Sequence, residues 1–138
     1  MNRTKAREYA FILLFEYKFQ PNEIKEILND FLAEHNTKGQ TDYIESVVLG
    51  AVENIESIDK VISEFSIGWE LSRISAVNIS VLRLAVYEML YMDDIPAIVS
   101  LNEAISIGKL YGGDESAPFL NGILSNIMNT TKDKQDVK

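Results

Sequence analysis

The chain of 138 residues has no cysteine, three prolines, one histidine and one tryptophan. Without cysteine there is neither a disulfide nor a thiolate metal site, which fits a reducing compartment. With a single histidine, His35, no Ser/His/Asp, Cys/His or His-x-x-x-His set can be assembled. His35 is expected as a surface residue near a helix end. "GKLYGGDES" at Gly108–Ser116 holds glycine and lysine but lacks the spacing of a phosphate-cradling loop, and no strand precedes it. Asp93–Asp94 and Asp114–Glu115 fall in turns, where carboxylates act as solvated caps. No apolar run approaches the roughly 18 residues needed to span a bilayer. The basic start runs into Glu16 and Lys18 without a small-residue cleavage site, so a secretory signal is not expected. These absences assign no catalytic residue, no metal and no cofactor. They point to a cytoplasmic binding protein rather than an enzyme.

What is present is a folded domain: 46% of residues are hydrophobic and 25% charged, and the length suits one domain. Apolar residues recur at three- and four-residue spacing and no segment alternates, which predicts an all-α chain of about seven helices. The first runs from about Arg3 to Lys18 and ends before Pro21. Every residue from Tyr9 to Phe15 is apolar, which predicts burial on most sides. A second helix spans about Asn22–His35. Thr41 reads as the N-cap of a third, Ser57 of a fourth. The fifth, about Ser75–Met92, is the most apolar and is expected at the centre. Ser100–Glu103 reads as a capping box for the sixth, and Ser116 as a cap for the seventh, with Pro118 in its first turn. The helices group over about 1–66 and 75–131, joined by "SIGWELSRIS", with a polar, frayed tail over 132–138.

Charge is unevenly placed. The chain nets -8, yet residues 1–18 net +2 and residues 19–131 net -11. Arg3, Lys5 and Arg7 precede the first acid, Glu8. A uniformly acidic surface repels nucleic acid, so contact with RNA or DNA is expected only at this tip. On a helical wheel Arg3 and Arg7 stack one turn apart while Lys5 points away, an arrangement that grips phosphates from more than one side.

The ordered elements of the second half carry a resemblance. Trp69 and Arg73 form W-x3-R; "VLRLAVYEM" follows at Val81–Met89, then Pro96, "LNEAISIGKLYG" at Leu101–Gly112 and "FLNGIL" at Phe119–Leu124. With the basic cluster ending in Ala6-Arg7-Glu8, this order resembles the NusB family of bacterial transcription antitermination factors. The resemblance implies an all-helical protein of two small bundles. It implies binding of boxA-type single-stranded RNA together with NusE, a small-subunit ribosomal protein. Other Nus factors and RNA polymerase complete the assembly, chiefly in ribosomal RNA synthesis. Some members form a homodimer.

Residue by residue, Arg3 and Arg7 match basic positions of the family motif. Lys5 replaces an arginine and loses bidentate geometry; Thr4 stands where another arginine is often found. Glu115, Ser116 and Phe119 match the family's RNA-proximal edge, where Phe119 either stacks on a splayed base or packs in the core. Arg83 either bridges to the RNA site or pairs with a carboxylate such as Glu88 or Glu103. Asn102 and Asn121 read as structural, through caps and loop bonds. Asn78 replaces a usual acidic residue. Trp69, Tyr87 and Tyr91 are candidates for the partner surface, though core packing explains each as well. The alternative function is a helical protein–protein adaptor without direct RNA binding. A free-standing methyltransferase, the enzyme to which such domains are fused, is not expected.

Overall fold

In the computed structural model, which describes residues 1–136 with side chains through Thr131, Asn2 opens the first helix. Its side-chain oxygen accepts from the Lys5 N–H at 2.8 Å, satisfying an orphan donor of the first turn. Helix α1 then runs Arg3–Phe19 and stops ahead of a short 3-10 turn at Pro21–Glu23. Helices α2 (Ile24–Glu34), α3 (Thr41–Glu53) and α4 (Ile55–Phe65) follow. The connector makes one 3-10 turn at Leu71–Arg73 before α5 (Ala76–Tyr91), α6 (Ala97–Gly112) and α7 (Ser116–Asp136). Among the described residues there are seven α-helices and no strand. The expected tail over 132–138 lies outside the described side chains, and residues 137–138 outside the described residues altogether; the backbone is helical to Asp136.

Helix α5 is the centre, packing against α1, α3, α4, α6 and α7. Its Ile79, Val81, Leu82, Leu84, Ala85, Val86 and Met89 are all buried, so it is apolar on nearly every side. Ser75 caps it, accepting from the Asn78 N–H at 3.1 Å. One continuous core joins Ala10, Leu14 and Val47 from the first half to Leu82, Leu120 and Leu124 from the second.

Four expected caps are corrected, Ser116 among them, since it is the first residue of α7 and its hydroxyl makes no capping bond among the described residues. Thr41 is the first residue of α3 rather than its cap; its hydroxyl donates back to the Thr37 carbonyl at 3.1 Å. Ser57 lies inside α4, which starts at Ile55. Ser100 lies inside α6, because the fixed φ of Pro96 already sets up the helix start at Ala97. His35 is corrected too: it is half-buried, stacked on Phe31 at 3.9 Å and edge-on to Tyr9 at 5.3 Å.

Ser100 instead joins the polar centre of the fold. Glu88 is fully buried on α5 and accepts from three helices. Arg7 Nε of α1 donates at 2.7 Å, Ser100 Oγ of α6 at 2.7 Å, and the Tyr43 hydroxyl of α3 completes the set. A second ion pair, Arg83 with Asp59, is bidentate at 3.0 and 2.9 Å and ties α5 to α4. Arg83 therefore pairs with a carboxylate, but with neither Glu88 nor Glu103.

Removing one member of a buried pair strands the other charge. Glu88→Ala is therefore expected to destabilise by about 3–5 kcal/mol, read by urea unfolding. Replacing both partners, as Arg7→Met with Glu88→Leu, is expected to cost much less than the sum of the single changes. Equal additivity would show that the two side chains are not coupled.

Candidate nucleic-acid interface

The three cations expected at the N-terminal tip all come from α1, but they are not equivalent. Arg7 is only 2% exposed. Besides Glu88, its Nη1 sits 3.2 Å from Glu103 Oε1, within ion-pair range but out of line for a hydrogen bond. Burial opposes its charge, yet the hydrogen bond and coulombic pairing with Glu88 outweigh that and raise its pKa. The same site pushes the Tyr43 phenol up, first by burial and then by the Glu88 charge. The expectation that Arg7 grips phosphate is thus corrected: its guanidinium is enclosed by protein carboxylates.

Arg3 is different. It is part-buried, its Nε donates to Gln40 Oε1 at 2.7 Å, and its guanidinium lies 4.1 Å from the Tyr43 ring centroid. No carboxylate pairs with it among the described residues. Lys5 is exposed and bridges to Glu8 at 3.2 Å. Thr4 donates to Glu103 at 2.8 Å, which holds the carboxylate beside Arg7.

Glu115, Ser116 and Phe119 come together at the start of α7. They line a cleft of about 430 Å³ with Trp69, Arg73 and Asn78. Trp69 stands edge-on to Phe119 at 5.9 Å and is 53% exposed. The Asn78 side-chain oxygen is enclosed without a hydrogen-bond partner. Trp69 therefore belongs with the α7 residues. Tyr87 and Tyr91 stack on each other at 5.2 Å elsewhere. Nine residues of α5 separate Asn78 from Tyr87, about 13 Å along the axis, so the three aromatics do not form one surface. Asn102 and Asn121 are exposed within helices, and neither side chain bonds a cap or loop among the described residues.

Helix α1 joins the two clusters. Its Arg7 meets Glu88 near the C-terminal end of α5, whereas Phe11 and Phe15 share a groove with Val77 near the other end. The two helices are antiparallel, and the tip and the α7 cleft lie toward opposite ends of α1. Between them Tyr111 donates to Glu8 at 2.5 Å.

Along Tyr9–Phe15 the expected burial holds, with Ala10, Phe11, Leu13 and Leu14 buried and Tyr9, Ile12 and Phe15 half-buried; the face opens only beyond that run, at Phe19. Phe11, Phe15 and Phe19 form an aromatic ladder, with centroids 6.2 and 5.2 Å apart, and Phe19 is 62% exposed. Phe11, Ile12, Phe15, Val77 and Tyr111 line a groove of about 450 Å³.

Comparison with known proteins decides the family. Residues 4–129 match the NusB family. This chain belongs to that family. A transcription antitermination protein NusB of Acetivibrio thermocellus is 43% identical, over 93% of this chain and 89% of its own length. A solved NusB of T. maritima superposes with a TM-score of 0.87 at 38% identity, covering 94% of this chain and 92% of that one. A second solved member was crystallised as antitermination factors NusB and NusE in complex with double-stranded RNA. It matches with a TM-score of 0.79 at 26% identity, over 94% of this chain and 99% of that one. No helix among the described residues of this NusB-family chain is long and apolar enough to cross a membrane.

The Tyr111 hydroxyl is the main reason that the Glu8 carboxyl titrates below its ordinary range; burial opposes this and Lys5 assists. The Tyr111 phenol in turn is pushed up to about 12, by burial and by Glu8. A depressed carboxyl contributes stability above its unfolded pKa, and that contribution is lost as pH falls through the folded value. Tyr111→Phe is expected to raise the Glu8 pKa toward normal and to cost about 1 kcal/mol near neutrality, the pair being partly exposed. Carboxyl NMR titration of Glu8 in the two proteins measures the shift; an unmoved titration would remove Tyr111 as its cause.

Proposed function

We propose that this chain is a non-catalytic transcription antitermination factor that binds boxA-type nascent RNA together with NusE, chiefly in ribosomal RNA synthesis. One observation carries the reading: a single helix, α1, presents an uncompensated cation at its tip and an open aromatic groove along its side. The first suits a phosphate, the second a protein. The complex of a relative holds NusB with NusE and double-stranded RNA, one protein partner and one nucleic acid.

In this reading Arg3 and Lys5 hold phosphates while Trp69 and Phe119 offer ring faces to unstacked bases at the α7 cleft. Glu115 stands exposed at the rim of that cleft as a polar group for base edges, whereas Ser116, expected beside it, is only 3% exposed and packs against Gly112. Arg7 acts indirectly, by fixing α1 against α5 and α6. NusE docks on the Phe11–Phe15–Phe19 ladder, where a basic partner relieves repulsion from the acidic body and lengthens the RNA path. Other Nus factors and RNA polymerase then assemble around the pair.

Binding of a boxA-type RNA, alone and with NusE, at two salt concentrations tests this. Arg3→Ala is expected to weaken binding and reduce the salt slope by about 0.7, one single-strand phosphate contact, with helical content unchanged. Phe119→Ala is expected to cost about 1–3 kcal/mol of RNA affinity with little change in slope. Phe15→Asp is expected to abolish the gain from NusE. If no boxA-dependent binding appears even with NusE, the adaptor reading stands instead.

A further inference from the structure

Between Gly39 and Asp59, and again between Leu84 and Gly108, the chain contains no lysine or arginine. These stretches supply α3, the C-terminal half of α5 and most of α6. Three of their acids are committed: Asp59 to Arg83, and Glu88 and Glu103 to Arg7. Asp42, Glu45, Glu53, Glu56, Asp93 and Asp94 have no cationic partner among the described residues.

Apolar surface lies within this acidic frame. Tyr87 crosses α3 at Gly50, where any Cβ would collide with the phenol ring. Tyr91 stacks on Tyr87 at an interplanar angle of 24° and is 43% exposed. Leu49, beside Gly50, is exposed. Glu45 and Glu53 lie four residues before and after Leu49, so all three share one face of α3. Glu53 is close enough to Tyr87 to contribute, after burial, to the raised pKa of its phenol. Asp93 and Asp94 lie two and three residues after Tyr91 and are exposed. At 100° per residue, Glu45 and Leu49 lie about 200° and 240° around α3 from Tyr43, turned away from the Arg3 tip.

We propose that the face made by Leu49 and the Tyr87–Tyr91 stack docks a lysine- and arginine-rich protein segment. Its cations meet Glu45, Glu53, Asp93 and Asp94, and its apolar side chains cover Leu49 and Tyr91. Tyrosine faces favour guanidinium groups, and like charge turns RNA away. The face shares no residue with the α1 groove or the α7 cleft, so it accepts this segment while those surfaces are occupied. The proposal does not depend on the RNA reading.

The test is titration of the isotopically labelled full chain with a synthetic amphipathic helix of leucine, lysine and arginine. The control peptide carries glutamate at each cationic position. Amide shifts are expected in α3 and the C-terminal half of α5, absent with the control and weakened by salt. Glu53→Lys and Leu49→Lys are each expected to lower peptide affinity about ten-fold or more without changing melting or boxA affinity. Shifts confined to the α1 groove, or affinity indifferent to both variants, would overturn the proposal. So would sedimentation placing a second copy of the chain on this face, or RNA shifting the same amides.

Discussion

The Glu88 carboxylate holds the rest in place. It lies at the crossing of four helices with no exposed surface and is met by Arg7, Tyr43 and Ser100. An ionised group so enclosed is tolerated only when its lone pairs are filled, and here each donor comes from a different helix. That fixes the relative register of α1, α3, α5 and α6 in a way that apolar packing, which is non-directional, does not. Arg7 lies one turn beyond Arg3, so the rotation of α1 that seats the buried arginine also sets where the uncompensated one points. The positioning of the N-terminal tip is thus a consequence of a core interaction.

How much of this was legible in the sequence differs by element. Helix number and type were readable because apolar spacing is a local property. The central place of α5 was readable because its residues are apolar on nearly every side. The caps were less so. Ser100 and Glu103 have the spacing of a capping box, but Pro96 starts the helix earlier and turns both side chains to tertiary tasks. Arg7 fails for a related reason. In sequence it is the third cation of a basic tip, and its partner lies 81 positions away. Trp69 was readable as part of the W-x3-R element and as an aromatic candidate for the partner surface, yet only the fold places it beside Phe119 and away from Tyr87.

Helix α1 shows how one segment serves two purposes. Ala6, Ala10, Leu13 and Leu14 face the core. The phenylalanine ladder extends the apolar surface past what the core covers, leaving Phe19 mostly exposed. Monomeric proteins rarely retain a large contiguous apolar patch without an interaction to fill it. The Tyr9–Phe15 run is thus largely committed to the core, and the open apolar surface lies beyond it, at Phe19. Tyr111 and Glu8 give the groove a polar edge.

The net charge of -8 is a poor guide to what the tip presents. At physiological ionic strength exposed charges are screened over about 8 Å, so a phosphate near Arg3 senses mainly the groups around it. Two acids of that region are occupied: Glu8 by Lys5 and Tyr111, and Glu103 by Arg7 and Thr4. Gln40 and Tyr43, which hold Arg3, carry no charge. A carboxylate in place of Gln40 would orient the guanidinium equally well while cancelling its field. The neutral support leaves Arg3 both oriented and cationic, which is what an acidic protein needs in order to meet a polyanion at one end.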